Sequence, residues 1–234
     1  MSITLMSFNI QHCENYLTKK IDFDKFVEEI RMRKADIIGL NEVRDAGEMP
    51  EYQAQAGILA EKLGFHYYFA RAIGTEGKDP YGNAILSRFP IVSAETILIP
   101  DPVKPAYEGY YETRCVLKAR IDVGEGLDVL VTHFGLNPDE QENAVRTVLE
   151  HIGDTRCVLM GDFNISPDNS LHALIRERMF DTAGLFLEEL LSWPSDHPTM
   201  KIDYVYTSAD IKVLSADIPA DVVSDHRPYV VSIA

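Results

Sequence analysis

The stretch CVLMGDFNISP, residues 157–167, carries the reading on which the rest of the chain turns. Its first four residues suit a buried strand, yet Gly161, Asp162 and Asn164 follow at once. Alternate strand residues share a face, so Asp162 and Asn164 are expected on one side of the strand and Phe163 on the other, in packing. Gly161 would let the backbone turn closely past its neighbours. An acid and an amide on the lip of an apolar strand call for polar partners, because burying them unpaired is costly.

Working outward, ITLMSFNI (residues 3–10) reads as a buried strand. In DFDKFVEEIRMRK, Phe23, Phe26, Val27 and Ile30 recur at helical spacing, with Asp22 as cap. ADIIGLNEV (35–43) is a second strand, and a strand–helix–strand unit favours parallel pairing, so both strands end on the same edge. A helix is expected over about 51–63, closed by Gly64, followed by strands in FHYYFARAI, GNAILS and IVSAETILI. ETRCVLKARIDV and LDVLVTHF bracket GEG, a hairpin signal. Asn137, Pro138 and Glu140 form a helix entry of capping-box type, Val145, Val148, Leu149 and Ile152 its apolar stripe, and Gly153 its close. After TRCVLMGD, Ser166 and Pro167 start a short helix to about Arg178, and IDYVYTS, IKVLSAD and PYVVSIA supply the last strands. Many strands with few helices imply two packed sheets with helices outside.

The 234 residues, 46% apolar and 25% charged, show no repeat or linker and parse most simply as one domain, 1–234. No apolar run reaches the roughly 18 residues of a membrane helix. The first residues lack a secretory pattern, so a cytoplasmic address is expected. Cys13, Cys115 and Cys157 are odd in number and are expected reduced. Acidic residues exceed basic ones, 37 against 22, for a net charge of −15, which opposes binding of polyanions.

Almost every expected strand delivers a polar residue at its end: Asn9, Glu42, His133, Asp162 with Asn164, Asp203, and Asp225 with His226. Glu42 and Asp225, helped by Asn9, are hard oxygen donors suited to Mg²⁺ or Mn²⁺, and no Cys/His cluster of zinc spacing competes. Asp162 is placed to orient or deprotonate a water for in-line attack at phosphorus, with Asn164 holding that water or a phosphate oxygen. His133 and His226 would donate to developing charge. Asp203 is the carboxylate expected to hold the second ring nitrogen of His226 and raise its pKa.

The motifs SFNI, GLNEV, YGNAILSR, ETR, VTHFG, GDFN, KIDYVY and SDHRP run in this order from one end of the chain to the other. In them the sequence resembles the endonuclease/exonuclease/phosphatase superfamily of deoxyribonuclease I-like enzymes. The resemblance implies an α/β (α+β) fold, a four-layered αββα sandwich of two mixed, mostly antiparallel sheets with helices outside. It also implies a divalent metal and phosphoester hydrolysis at the common strand edge. Glu42 falls on the principal metal ligand, Asn9 and Asp225 on its supporting shell, and Asp162 and Asn164 on the pair handling nucleophile and phosphate. His133 falls on a phosphate-contacting histidine, Asp203 and His226 on the orienting acid and catalytic histidine, and Arg114 and Asn83 on phosphate contacts.

Three other patterns fail. GTEGKD (74–79) has its glycines too close for a phosphate loop, and DFNISPDNSLHA lacks the glycine and closing glutamate of a calcium loop. No G-x-S-x-G elbow is present. Substrate choice falls to two loops, about 100–113 with Tyr107, Tyr110 and Tyr111, and 186–200 with Trp193, whose aromatics either contact substrate or brace the loops. Acidity favours a small or lipid-headgroup phosphoester over double-stranded DNA. A nuclease, or a catalytically silent binding module on this fold, are the alternatives.

Overall fold

A computed structural model describes residues 2–74 and 78–234. The rejected phosphate-loop stretch therefore falls partly outside the described residues. In chain order, β1 (Ile3–Asn9) is followed by a two-residue ribbon, β2 (Glu14–Asn15) with β3 (Lys20–Ile21), then α1 (Phe23–Arg33) and β4 (Ile37–Arg44). Next come α2 (Gln55–Leu63), β5 (His66–Ile73), β6 (Tyr81–Ser87), β7 (Ile91–Leu98), β8 (Cys115–Ile121) and β9 (Leu127–His133). The chain continues through α3 (Pro138–His151), β10 (Cys157–Asp162), α4 (Leu171–Arg176) and β11 (Phe180–Asp181). It ends with β12 (Asp203–Thr207), β13 (Val213–Asp217) and β14 (Tyr229–Ile233).

Two six-stranded sheets result, ordered β13-β14-β1-β4-β6-β5 and β11-β12-β10-β9-β8-β7. Each has one parallel pair at its centre, β1 with β4 and β9 with β10, and antiparallel neighbours elsewhere. Leu5, Ile37, Ile85, Leu117, Val131, Met160 and Val205 belong to the apolar layer between the sheets. Phe26, Val27 and Ile30 of α1 and Leu59 of α2 pack on Phe8, Ile38 and Leu40 of the first sheet. Ala144, Val145 and Val148 of α3 and Ile175 of α4 cover Leu130, Leu159 and Tyr206 of the second. The four-layered sandwich implied by the resemblance is the fold observed.

Local signals account for the helix ends. Asp22 accepts from the Lys25 amide at 3.1 Å, and Asn137 with Glu140 forms the capping box. Gly64 ends α2 at φ +72°. Two expectations shift. Helix α2 begins at Gln55 rather than near 51, and only Leu171–Arg176 of the 166–178 segment is α-helical, preceded by turns. In that segment Asn169 Oδ1 accepts from the Leu171 amide, a local bond that competes with helix.

Gly161 lets β10 pass close against β9. A Cβ there would stand 1.8 Å from the Thr132 carbonyl oxygen, and φ is +148°, so no other residue fits without moving β9. Phe163 packs inward as expected, fully buried and stacked on Phe134 at 4.3 Å. Burial of that size contributes roughly 1.5–3 kcal/mol.

Candidate active site

Strand direction gathers the polar residues on one rim. β1, β4, β9 and β10 bring Asn9, Glu42, His133 and Asp162 at or near their C-terminal ends. β12 runs antiparallel to β10 and so opens at the same rim with Asp203, while Asp225 and His226 precede β14, antiparallel to β1. Register sets Asp162 directly between His133 of β9 and Asp203 of β12. The rim lines a cleft of about 480 Å³. Glu42, Arg114, His133, Asp162, Asn164, Asp225 and His226 line it, whereas Asn9, Asn83 and Asp203 do not.

His226 stands between two acids. Its Nδ1 lies 2.8 Å from Asp203 Oδ2 and its Nε2 3.5 Å from Asp162 Oδ2. Burial opposes the charge on the ring, but the Asp203 and Asp162 carboxylates outweigh it and hold His226 up to about 10. Burial likewise raises Asp162, against the pull of the His226 cation. His133 is the opposite case, pushed well down by burial and by the Arg114 charge. Arg114 Nη1 lies 3.0 Å from His133 Nδ1 and can only donate, so the neutral ring carries its proton on Nε2. That nitrogen faces Asp162 Oδ2 at 3.4 Å, while Asn164 Nδ2, itself a donor, lies 3.1 Å away and donates to the Phe134 carbonyl at 3.0 Å.

Glu42 is delivered by a distortion. The β4–β6 register shifts between Leu40 and Val43, and Glu42 itself sits at φ +58°. A non-glycine residue there costs on the order of 1 kcal/mol or more, and the bulge re-aims its side chain. Asn9 Nδ2 donates to Glu42 Oε1 and to Asp162 Oδ2, 3.1 Å each, tying the two acids together across the sheets. Asn9 Oδ1 accepts from the Gln11 amide, so the amide nitrogen is the end that faces the acids. Burial raises the Glu42 pKa, and the neighbouring Asp225 adds to the rise.

Asp162, Asp203 and His226 also bring ligand atoms within 4.8 Å of one another, close enough to hold a metal ion. That trio is buried and has an imidazolium at its centre that repels cations, while Asp203 Oδ1 is left without a hydrogen-bond partner. Beside it, Glu42, Glu112 and Asp225 are the other carboxylates lining the cleft, and Glu112 is paired with Arg114.

A family model described as the Endonuclease/Exonuclease/phosphatase family matches residues 6–226. The chain belongs to the endonuclease/exonuclease/phosphatase family. Members of this family are generally hydrolases and typically depend on divalent metals. Among solved structures, an endonuclease/exonuclease/phosphatase from Beutenbergia cavernae is similar at 24% identity and TM-score 0.77, over 99% of this chain and 71% of that one. A mannosyl-6-phosphatase of Bacteroides thetaiotaomicron shares 16% identity at TM-score 0.77, over 99% of both chains. The catalytic domain of human nocturnin, solved with a bound sulfate, shares 18% at TM-score 0.73, over 100% of this chain and 94% of that one. No curated protein matches significantly.

Two placements in this family member depart from expectation. Asn83, expected at a phosphate, is 2% exposed and fully engaged: its Oδ1 accepts from Asn41 Nδ2 at 2.8 Å and its Nδ2 donates to the Cys115 carbonyl at 2.9 Å. It braces one sheet against the other and does not face the cleft. Asn164 reaches the cleft, but not by strand alternation, because β10 ends at Asp162 and Asn164 turns at φ +51°. Of the loop aromatics, Tyr110 and Trp193 line the cleft, while Tyr111 donates to Asp139 at 3.0 Å and braces its loop.

Three residues at the rim escaped the sequence reading. Asn41 accepts from the Asp162 amide at 3.0 Å and donates to the Thr132 carbonyl at 2.9 Å, linking the sheets beside Glu42. Its adjacency to Glu42 in GLNEV was the available signal. Glu112 pairs with Arg114 at 2.8 Å. His12 sits at φ +59° with Nδ1 3.2 Å from the Glu42 carbonyl and Nε2 3.9 Å from Glu42 Oε2, its pKa lowered to about 4 by burial and by Arg44.

Proposed function

We propose that this chain is a Mg²⁺- or Mn²⁺-dependent phosphoesterase acting on a small or lipid-headgroup phosphodiester or phosphomonoester, by in-line attack of an activated water. The observation that carries the reading is the buried Asp203–His226–Asp162 chain set against the cleft-lining pair Glu42 and Asp225. The donor set fits a hard cation: Glu42 and Asp225 are oxygen donors, and burial and mutual repulsion leave Glu42 in want of positive charge. Glu42 would be the principal ligand, with Asp225 beside it and Asn9 holding Glu42 in place. When bound, the ion supplies Lewis-acid neutralisation of phosphate charge.

The protein's own groups divide the remaining work. Asp162 accepts the proton of the attacking water, with Asn164 orienting that water or a phosphate oxygen. His226, held cationic, and His133 donate to the charge that builds on the phosphoryl group, and Arg114 adds a second cation. Asp203 keeps the His226 ring in position and charged.

The charge census in the cleft supports a substrate with one phosphate. Arg114 and the His226 cation are the positive side chains among its lining residues, and Glu42, Glu112, Asp162 and Asp225 are acidic. Glu112 already pairs with Arg114. A substrate with several phosphates, or a polynucleotide, would meet repulsion at all but one of them. A silent binding module would have no use for two acids held on one histidine, which favours catalysis. A cytoplasmic address is supported by three buried, unpaired thiols, and no helix among the described residues is long and apolar enough to cross a membrane.

The test is turnover of a chromogenic phosphodiester and monoester with Mg²⁺ or Mn²⁺. Activity should vanish with EDTA, return with either ion, and be lost in Glu42→Ala together with ion binding measured by calorimetry. Full activity of Glu42→Ala at limiting metal would refute its role as ligand.

A further inference from the structure

Besides its acids and histidines, the cleft is lined by an apolar wall of Tyr110, Leu136, Trp193, Met200 and Ile202. Three of these are unusually open for apolar or aromatic groups: Tyr110 is 67% exposed, Leu136 55% and Met200 41%. Exposed apolar surface that rims a charged site costs free energy until something covers it.

This wall is built into the rim. Trp193 and Met200 exchange backbone hydrogen bonds, Trp193 N to Met200 O at 3.0 Å and Met200 N to Trp193 O at 2.9 Å. The segment is then fastened to the one bearing His226. Ser195 N donates to Asp225 O at 2.7 Å, Ser195 Oγ to Ser224 O at 2.6 Å, and Arg227 N to Ser192 O at 2.8 Å. On the other flank, the Tyr110 hydroxyl donates to Glu112, the partner of Arg114, and Asn137 Nδ2 holds the Tyr110 carbonyl at 2.9 Å. Both halves of the wall are thus hydrogen-bonded to the segments that carry His226 and Arg114, which lowers the ordering cost of binding.

We propose that this wall is a subsite for an uncharged aromatic group attached to the substrate phosphate. The inference rests on the phosphoesterase reading above and names the chemistry of its substrate. A tryptophan, a tyrosine and a methionine together favour a flat ring, through offset stacking and sulfur–ring contact. The cleft volume of about 480 Å³ exceeds the needs of a phosphate alone and lies in the range of pockets that enclose organic ligands. The absence of lysine from its lining leaves nothing to receive a second anionic group on that side.

Trp193 is the single tryptophan of the chain, so intrinsic fluorescence reports this subsite and does not require turnover. The experiment titrates the intact protein, with Mn²⁺ present, using phenylphosphonate, 1-naphthylphosphonate, methylphosphonate and inorganic phosphate. The aromatic phosphonates should bind at least about tenfold more tightly than methylphosphonate, with a change in Trp193 emission. In Leu136→Ser and Met200→Ser, each checked for native circular dichroism, that ratio should fall towards one. Equal affinities for aromatic and methyl phosphonates in the unmodified protein, or a ratio unmoved in both variants, would overturn the subsite while leaving the phosphoesterase reading standing. Failure of every phosphonate and of phosphate to bind, with no turnover of any phosphoester, would remove both.

Discussion

The two ring nitrogens of His226 answer to two different carboxylates, and this fixes its charge. With its pKa raised from 6.5 to about 10, the cation stabilises the fold fully below pH 6.5, and that contribution is lost as pH rises through about 10. In metal-free protein, NMR of ¹⁵N-labelled histidine should show His226 still charged at pH 8, and Asp203→Asn should bring its titration down towards the ordinary value. Neutral His226 at pH 8 in the unmodified protein would contradict the geometry. For chemistry, Asp162→Asn and His226→Ala should each lower kcat by about 10²-fold or more with smaller effects on KM. A change confined to KM would mean that these side chains bind substrate without acting on it. The pairing of Asp203 with His226 was legible in the sequence because an acid and a histidine at neighbouring strand ends have few other ways to be satisfied. Asn83 was not legible in the same way: a buried amide that braces two sheets and one that faces phosphate have the same composition and lie in the same kind of motif. Only the position of the Cys115 carbonyl across the sheets decides between them.

Strand ends carry the site, so the backbone that sets them matters as much as the side chains. Gly161 allows β10 to lie against β9 one residue before Asp162, in a conformation that side chains resist. Gly161→Ala should destabilise the protein by about 3 kcal/mol or more, read as a lowered urea midpoint. Wild-type stability in that variant would show that β9 can move aside freely. The parallel pairing of β1 with β4 followed from the intervening amphipathic helix, which cannot cover a sheet face in a hairpin. The left-handed turn that presents Asn164 and the bulge that presents Glu42 were hidden. Both are single-residue departures from regular strand geometry, and neither residue is a glycine that would have announced them. The fully apolar runs were read correctly as buried strands because each sheet is covered on both faces, by the other sheet and by helices.

At the scale of the molecule, both sheets share one apolar layer, and neither buries that face alone. The same scale separates the two enzymatic readings most cleanly, through charge. The chain carries a net −15, and acidic residues outnumber cationic ones in the cleft. A small anionic substrate therefore approaches against a repulsive field, which salt screens: the Debye length falls from about 30 Å at 0.01 M to about 10 Å at 0.1 M. At saturating metal, kcat/KM for a singly charged phosphodiester should hold steady or rise, by up to about twofold, across that interval. A nuclease gains its affinity by releasing counterions from a polyanion, so its kcat/KM on DNA or RNA falls steeply over the same range. A steep fall on the small diester would mean that a basic surface supplied by some other arrangement governs binding. Rapid cleavage of a polynucleotide with that same fall would replace the small-substrate assignment by the nuclease one, while leaving the roles of Glu42, Asp162 and His226 untouched, because those residues meet only the phosphate that both substrates share.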